Sequence, residues 1–537
     1  MKNKNKKVSF VKQAAILAAA GILVRLLGFL YRLPLTDLLG DEGNGIYSAG
    51  FYLYIFFLVM SSAGLPAAIS KIVSEKYSLG EYKNVKKVFN VSLVMACIVG
   101  AFFSLVMLFS ARWFCDLIKS PKSYYAILTL SPTVFIVSVI SVFRGYFQGL
   151  GTTTPTAISQ IIEQVFNAIF SVYLAYILVD MGIEFGAAGG TAGTGIGALA
   201  GLIYIIIVFL RRRKYINKKL YSENKEYEVD SSKKIALNII KIAIPIITGT
   251  AIFSMTNLID MQMVNSRLAF SGAFSESEIN ALYGQLTGKY VTITTLPVSI
   301  STALATAVIP SIASSVIKKE HKIVKEKIST TLRLTMIISI PAAIGIGVLS
   351  NEILKFLFPN YSDGGKLLMF GSVSIIFLAL YQILTGILQG VGKMKAPAKN
   401  ALFGSLIKIP INYILIAIPF INVVGAVIST TVCYILASML NLRELKKVID
   451  FSIDYKSIFI KPLFASIIMG IICYFSNKFL YMISENNSIS TLISIIIGIF
   501  IYLIALALIK GFKREDLKLI PMGNKIIKVL DKFNLID

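Results

Sequence analysis

The sequence predicts an all-α polytopic membrane protein with fourteen transmembrane helices. They form two parallel six-helix repeats, an N-lobe and a C-lobe, plus two extra helices. Three observations predict this fold: the composition, the placement of lysines and arginines, and two motifs that occur twice. Of the 537 residues, 56% are hydrophobic and only 15% are charged, whereas a soluble domain carries about 25% charged residues. This composition excludes soluble enzymes, secreted scaffolds and DNA-binding domains.

Apolar runs of about 20 residues, the length that crosses a bilayer as a helix, set the predicted spans. They lie near 11–35, 46–70, 88–110, 123–147, 157–180, 189–210, 236–264, 284–315, 330–350, 365–390, 398–420, 421–441, 456–476 and 489–510. The four cysteines lie singly in apolar stretches, without metal or disulfide spacing, so we interpret them as reduced core residues.

The distribution of positive charge predicts the orientation. With both termini in the cytoplasm, the inner segments hold 39 of the 53 lysines and arginines and the outer loops hold 8, as the positive-inside rule requires. The Lys-rich N-terminus runs into the first span without a cleavage site, which indicates a retained signal anchor. The basic run 211–214 fits this topology and also predicts contact with anionic membrane lipids.

Two motifs recur at nearly constant offsets. Gln148-Gly149-Leu150-Gly151 recurs as Gln389-Gly390-Val391-Gly392, 241 residues later, and Ala63-Gly64-Leu65-Pro66 is echoed by Ala307-Val308-Ile309-Pro310, 244 residues later. Spans 1–6 and 7–12 are therefore predicted to be two copies of one bundle with the same orientation, an arrangement typical of transporters with a site at the repeat interface. Pro66, Pro310, Gly149 and Gly390 are candidate hinge or packing positions, and both interpretations stay open.

These features divide the chain into domains. The predicted boundaries are 1–215 for the N-lobe, 216–235 for a basic cytoplasmic linker, 236–447 for the C-lobe, 448–510 for spans 13 and 14, and 511–537 for a basic amphipathic cytoplasmic tail.

Three arginines inside first-half spans need a reason, because a basic residue in mid-span costs roughly 2.5–3.5 kcal/mol on insertion scales. Arg25 and Arg32 lie seven residues apart on one face of span 1, and Arg144 lies near the cytoplasmic end of span 4. Either they extend to the membrane surface, or they line an inward-facing cationic cavity. Guanidinium groups bind phosphate bidentately and stay charged when desolvated, which suits a diphosphate headgroup.

Other polar residues complete the candidate site. Glu163 on span 5 is expected to balance Arg144 or to moderate the charge of the empty cavity, beside the polar residues Gln148 and Gln160. In the second half, Asp260 with Asn257 one turn before it could hold a cation, or Asp260 could pair with Lys408. Neither metal nor cofactor is expected. A monovalent cation or the membrane potential is the predicted driving force.

Four segments resemble the multidrug/oligosaccharidyl-lipid/polysaccharide (MOP) flippase superfamily. Within it, the chain is similar to the branch of stage V sporulation protein B and the MurJ-type lipid II flippases. The segments are Val24-Arg25-Leu26-Leu27-Gly28-Phe29 with Arg32, Gly64-Leu65-Pro66-Ala67-Ala68-Ile69-Ser70-Lys71, Arg144-Gly145-Tyr146-Phe147-Gln148-Gly149 and Ser159-Gln160-Ile161-Ile162-Glu163-Gln164.

The resemblance implies a flippase, not an enzyme, in the bacterial plasma membrane. It would export an undecaprenyl-diphosphate-linked sugar, a lipid-linked oligosaccharide, to the outer leaflet by alternating access. It also implies that Arg25, Arg32 and Lys289 are cavity cations, and that spans 13–14 form a groove for the lipid tail. Two departures stand out: Leu33-Pro34 follows Arg32 where an acid is common, and Lys289 replaces an arginine. We expect a monomer without a nucleic-acid partner.

Several rival functions stay open. A cation-coupled multidrug antiporter of the same superfamily would need acids in its first half, where Glu163 is the only acid well inside a span. A flippase for another polysaccharide repeat unit fits the same pattern. A membrane glycosyltransferase would need an acidic cluster, and the longest outer loop, near 265–283, offers only Glu276 and Glu278. The arginines inside the spans argue against a scaffold without transport activity.

Overall fold

The structure is a computed structural model that describes residues 2–221, 227–449 and 451–514, together with positions 527, 531 and 536. Within those ranges the chain forms helices and turns, and no strand. The helices pack into two units, Met1–Gly284 and Gln285–Asp537, and each unit has its own apolar core. The predicted all-α class is confirmed. Residues 222–226 of the predicted linker and most of the predicted tail lie outside the described residues.

The first unit begins with a helix that contains a break and continues with seven further α-helices in the described residues. They are α1 (Lys2–Ser62), α2 (Leu65–Leu79), α3 (Tyr82–Leu117), α4 (Tyr124–Gly149), α5 (Thr154–Leu178), α6 (Ile183–Tyr221), α7 (Ser232–Phe270) and α8 (Glu276–Gly284). Proline in the first turn starts α2 and α5, where its missing N–H is not needed. The Ser231 side chain caps α7 by accepting the N–H of Lys234.

The second unit begins with a π-helical segment, Gln285–Tyr290. Its α-helices are α9 (Val291–Ile317), α10 (His321–Val348), α11 (Ser350–Leu357), α12 (Gly365–Gly371), α13 (Ser374–Gly390), α14 (Ala396–Leu415), α15 (Val424–Val448), α16 (Lys461–Ser484) and α17 (Asn487–Leu508). A second π-helical segment, Lys456–Ile460, leads into α16.

Each predicted span overlaps a helix. Among the described residues, nine helices are long and apolar enough to cross a membrane, or ten if α12 and α13, bent by 43°, form one span. The first of the nine runs from Ala19 to Leu79, overlaps the first predicted span and contains the second. A multi-pass membrane protein is therefore supported, and the count of fourteen stays a prediction.

A break at Gly40 divides α1. Gly40 has φ 63° and ψ −176°, a conformation that favours glycine. The Asn44 side-chain amide donates to the carbonyl oxygens of Gly40 at 2.6 Å and Thr36 at 2.9 Å, so carbonyls freed by the break keep a donor. In an unbroken helix Arg32 and Tyr47 would lie about 22 Å apart, yet their side chains meet. The chain therefore folds back at Gly40, within the predicted outer loop.

The duplicated Gln-Gly motifs form the same turn. Gly151 has φ 77° and its N–H donates to the Gln148 carbonyl at 2.9 Å, while Gly392 has φ 86° and donates to Gln389 at 3.1 Å. In both cases the next helix, α5 or α14, starts with a proline in its first turn. Equal turn geometry at the two positions supports the repeat inferred from the sequence.

Packing groups α7 with the first unit. Ile235, Ile239 and Ala243 of α7 are buried in a core cluster with residues of α2, α3 and α4. Gly64 permits this approach, since a Cβ there would lie 2.6 Å from the Ala243 carbonyl oxygen. The packed units divide after Gly284, whereas the predicted lobes meet in the linker at 216–235. The lobe boundaries describe the sequence repeat and stay a prediction.

Candidate functional site

Arg32 lies against aromatic rings of the second half of α1. Its guanidinium carbon is 4.8 Å from the ring centroid of Tyr47 and 5.5 Å from that of Phe51, both within cation–π range. The Arg32 side chain is half-buried, and it forms no ion pair with any residue that the structure describes. The fold-back at Gly40 thus produces an arginine that has aromatic neighbours but no acidic partner.

Arg25 lies two turns earlier on the same half of α1. Its side chain is exposed, and within the described ranges it forms neither a hydrogen bond nor an ion pair. A guanidinium that has no protein partner inside a predicted span needs water, a lipid headgroup or a ligand to accept its hydrogen bonds. The structure therefore gives Arg25 no folding role that would compete with a binding role.

Arg144 and Glu163 form an ion pair between α4 and α5. Arg144 Nη2 lies 2.6 Å from Glu163 Oε2, and Arg144 Nε donates to the Ser159 hydroxyl at 3.0 Å. Their side chains are 13% and 27% exposed, so solvent reaches the pair only partly. This pairing is one of the two roles predicted for Glu163 from the sequence. It makes Arg144 a neutralised cation, unlike the arginines of α1.

A glycine stripe on α6, one residue in every four, holds α5 close. A Cβ at Gly189 would lie 2.6 Å from the Leu174 carbonyl oxygen, and one at Gly201 would lie 3.1 Å from that of Ser159. Between them, Gly193 and Gly197 are pressed against the α5 backbone. Small residues at this spacing let membrane helices approach closely. The stripe was not among the predicted features, although its four-residue spacing is visible in the sequence from 189 to 201.

The candidate hinge positions lie in tight helix contacts. A Cβ at Gly149 would lie 2.6 Å from Cβ of Val73, and one at Gly390 would lie 3.1 Å from the Ile309 carbonyl oxygen. Pro66 lies in the first turn of α2, pressed against Gly145. These contacts favour packing over hinging for the three positions. The Pro310 side chain lies outside the described residues, so its role stays a prediction.

Asp260 on α7 lies near the aromatic neighbours of Arg32. Tyr52 is within electrostatic range of both Arg32 and Asp260, and Tyr283 of α8 is within range of Asp260. Asp260 and Asn257 are both half-buried. The structure therefore brings Asp260 into the same unit as the α1 arginines, which sequence spacing did not reveal.

The two candidate lysines of the second unit, Lys289 and Lys408, are buried. Lys289 is 1% exposed, and its Nζ donates to the Asp363 carbonyl oxygen at 2.9 Å and lies 6.0 Å from the Phe358 ring centroid. Lys408 on α14 is 6% exposed. Asp260 belongs to the first unit and Lys408 to the second, so their pairing stays a prediction. Arg333, also 1% exposed, is a buried cation that the sequence analysis did not select.

Gln148 and Gln160 are half-buried at the adjoining ends of α4 and α5. In the part of the chain that the structure describes, no group of three or more His, Cys, Asp or Glu side chains could hold a metal ion. The roles predicted for these residues stay predictions.

A charged cluster joins the α2–α3 turn to the segment before α7. Lys76 Nζ lies 2.6 Å from Asp230 and 2.8 Å from Glu81. Asn84 donates to Glu81 at 2.8 Å and accepts the Asp230 N–H at 3.0 Å. The Lys76 and Asn84 donors hold the pKa of Glu81 below its ordinary value, and Lys234 and Lys76 do the same for the pKa of Asp230. No motif in the sequence predicted this cluster.

Comparison with known proteins identifies the family. The sequence profile of the family described as polysaccharide biosynthesis protein matches residues 10–316, more than half of the chain, and the MatE profile matches residues 288–414. Stage V sporulation protein B of Bacillus subtilis (strain 168) is 27% identical over 527 residues, 97% of this chain and 99% of that protein. Lipid II flippase MurJ of the same organism is 26% identical over 479 residues, 85% of this chain and 86% of that protein.

Solved structures share the fold. Lipid II flippase MurJ in an inward closed conformation has a TM-score of 0.66 at 18% identity and covers 91% of this chain and 98% of its own. An inward-facing multidrug resistance MATE family transporter of the MOP superfamily has a TM-score of 0.65 at 15% identity, covering 80% of this chain and 98% of its own.

The named relatives include a lipid II flippase and a multidrug transporter, so this chain is a multi-pass membrane transporter and not an enzyme. The match to the family profile, the two full-length relatives and the shared fold all agree. The chain belongs to the polysaccharide biosynthesis protein family, in the branch of the MOP flippase superfamily that contains stage V sporulation protein B and MurJ.

Proposed function

We propose that this protein is a flippase that moves an undecaprenyl-diphosphate-linked glycan precursor, similar to lipid II, from the inner to the outer leaflet by alternating access. The observation that carries the proposal is the state of the two α1 arginines. Arg25 and Arg32 have no acidic partner among the described residues, although each is costly inside a membrane. A diphosphate would supply the missing negative charge and accept bidentate hydrogen bonds. The name of one relative, lipid II flippase MurJ, supports the same substrate class.

The distribution of charge within the first unit favours an anionic substrate. Glu163 is neutralised by Arg144 at 2.6 Å, so it offers little attraction to a cationic drug, whereas the α1 arginines keep their charge. A multidrug antiporter, the alternative function, would need the opposite balance. A flippase for another polysaccharide repeat unit would use the same diphosphate chemistry and differs from the first proposal only in the glycan.

The proposed cycle needs a driving force and an orientation. We propose a monovalent cation or the membrane potential as the driving force and no cofactor. Asp260 and Asn257 are the candidate cation ligands, and pairing of Asp260 with Lys408 is the alternative, which we favour. We further propose that the protein is a monomer in the bacterial plasma membrane, with both termini in the cytoplasm and basic surfaces on anionic lipids. Reporters fused after Lys219 and near Ser275 would then lie in the cytoplasm and outside, respectively.

A leaflet-accessibility assay tests the proposed function. Cells depleted of this chain would accumulate the lipid-linked precursor in the inner leaflet, and mass spectrometry of that lipid would identify the glycan. Re-expression of the wild type should restore access to the outer leaflet, and expression of Arg25→Ala should not. Unchanged outer-leaflet access in depleted cells that lack related flippases would refute the proposal.

A further inference from the structure

Two stacked rings lie beside the Arg32 guanidinium, and the fold fixes both. Tyr47 and Phe51 lie one turn apart, with ring centroids 5.7 Å apart and planes 20° apart. Tyr47 is fully buried, and its ring occupies space left by a glycine of α6, since a Cβ at Gly190 would lie 3.2 Å from Tyr47 Cδ2. The rings therefore form a rigid surface whose position does not depend on Arg32.

This arrangement leaves most of the N–H donors of Arg32 available to a ligand, apart from a hydrogen bond with Tyr31. Cation–π contact uses the charge of a guanidinium but none of its five N–H donors. An acidic partner would instead occupy at least one of those donors and cancel the charge, as Glu163 does for Arg144. An aromatic surface thus restricts the rotamers of a long side chain while keeping it competent for an anion. It also favours arginine over lysine, whose point charge lacks a planar fork.

We propose that Tyr47 and Phe51 are positioning residues that hold Arg32 ready for the diphosphate group of the substrate. The proposal rests on the proposed function, because it assumes that Arg32 binds this group. It adds the physical device that keeps the arginine ordered without neutralising it. The fold-back at Gly40, supported by Asn44, is what places these rings on the first half of α1.

Diphosphate binding by the purified full-length chain in detergent tests the proposal. The probe is farnesyl diphosphate, with farnesol as the uncharged control, and calorimetric titration gives the dissociation constants. We expect Phe51→Leu and Tyr47→Leu each to weaken diphosphate binding about 2- to 30-fold, the range for one lost cation–π contact. Farnesol binding should not change. Tyr47→Phe and Phe51→Tyr, which keep a ring, should bind more tightly than the corresponding leucine variants.

A matched control variant and a double-mutant cycle distinguish positioning of Arg32 from a general loss of protein stability. Phe57→Leu removes a buried ring of the same half-helix that packs on Phe56 and Phe103, and it should leave binding unchanged. Combined with Arg32→Lys, the Phe51→Leu change should weaken binding less than it does in the wild type, because lysine keeps the charge but loses the planar contact with the ring. Gly190→Ala, which presses on the Tyr47 ring, provides a second perturbation if the leucine variants do not accumulate.

The possible outcomes are distinguishable. If Arg32→Ala abolishes diphosphate binding and both leucine variants bind like the wild type, the positioning role is refuted and the proposed function stands. If the leucine changes weaken binding equally in the Arg32→Lys background, the rings act through packing alone and the positioning role is also refuted. If the wild type does not discriminate farnesyl diphosphate from farnesol, the proposed function fails, and the positioning role fails with it.

Discussion

Lys76 and Asp230 form an ion pair of 2.6 Å that joins the last turn of α2 to the segment before α7. The side chains of Lys76 and Asp230 are 22% and 12% exposed, so the pair is screened less than an open surface pair. Asp230 also pairs with Lys234 at 2.6 Å. One carboxylate therefore anchors the start of α7 to the helices it packs against.

Asp230→Asn should lower the free energy of unfolding by about 1 kcal/mol, the upper part of the range for partly exposed pairs. The amide cannot attract both lysines as the carboxylate does. The midpoint of thermal unfolding of the purified protein measures this effect. Glu444→Gln provides the control, because the Glu444–Lys447 pair is more exposed, at 34% and 69%, and should contribute little. Equal shifts in the two variants would contradict a specific role for Asp230.

The contribution of Asp230 should depend on pH in the acid range. The neighbouring lysines hold the pKa of Asp230 below 3.8, and Lys76 and Asn84 hold the pKa of Glu81 below 4.5. A carboxylate with a lower pKa in the folded state stabilises that state above the unfolded pKa, and the contribution is lost as the pH falls through the folded pKa. The difference in melting temperature between wild type and Asp230→Asn should be constant from about pH 8 to 5 and should shrink as the pH falls below the ordinary aspartate pKa of about 3.9. A difference that grows toward acid pH would argue against this linkage.

Glu163→Gln should destabilise the protein more than the double variant Arg144→Gln/Glu163→Gln. The single change leaves Arg144 without its acid, which costs about 3–5 kcal/mol in a fully buried pair and less here because Glu163 is 27% exposed. Membrane abundance and melting temperature of the three proteins measure the order. A double variant less stable than Glu163→Gln would show that each residue acts independently.

Arg25→Ala should abolish complementation of a flippase-depleted strain without reducing the amount of protein in the membrane. Arg25 is exposed and forms no described contact that folding would lose. Arg25→Lys should restore only part of the activity, since lysine lacks the bidentate fork. Quantitative immunoblots must accompany the growth assay. Full growth with the alanine variant would leave extension to the membrane surface as the better account of Arg25.

The amount of variant protein in the membrane should show whether Asp260 pairs with Lys408. If they form a buried pair, each single neutral substitution leaves an uncompensated charge and lowers the amount of protein, and the double substitution restores it. If Asp260 holds a cation, Asp260→Asn should accumulate normally and lose ion-dependent transport. We expect the pair, because a nearby lysine would repel a bound cation. Normal amounts of both single variants would refute this expectation.

The sequence predicted the class and the repeat because both depend on local patterns. Apolar runs mark helices wherever they pack, and the Gln-Gly motifs form equal turns at Gly151 and Gly392 because their hydrogen bonds are local. It did not predict that α7 packs with the first unit. That grouping depends on side chains such as Ile239 meeting residues far away in the chain, and no local pattern encodes such a meeting.

The sequence predicted which charged residues belong to the candidate site but not which residues they contact. Arg144 and Glu163 could be matched because two adjacent helices carry one charge each. The rings at Arg32 could not be foreseen, since they depend on the turn at Gly40 that brings distant residues together. For Lys289 the partner is a backbone carbonyl, that of Asp363, and a backbone acceptor leaves no trace in the sequence. Spacing therefore identifies candidate cations but does not identify what they contact.

The fold-back of α1 has a consequence for membrane insertion. During synthesis the first half of α1 emerges with Arg32 before either ring that contacts it exists, and an arginine in mid-span costs roughly 2.5–3.5 kcal/mol on insertion scales. Tyr47 and Phe51 follow only after the turn at Gly40. The two halves of α1 are therefore most stable in the bilayer when they insert together as a helical hairpin. Stable insertion of the first half then requires that the second half has been translated.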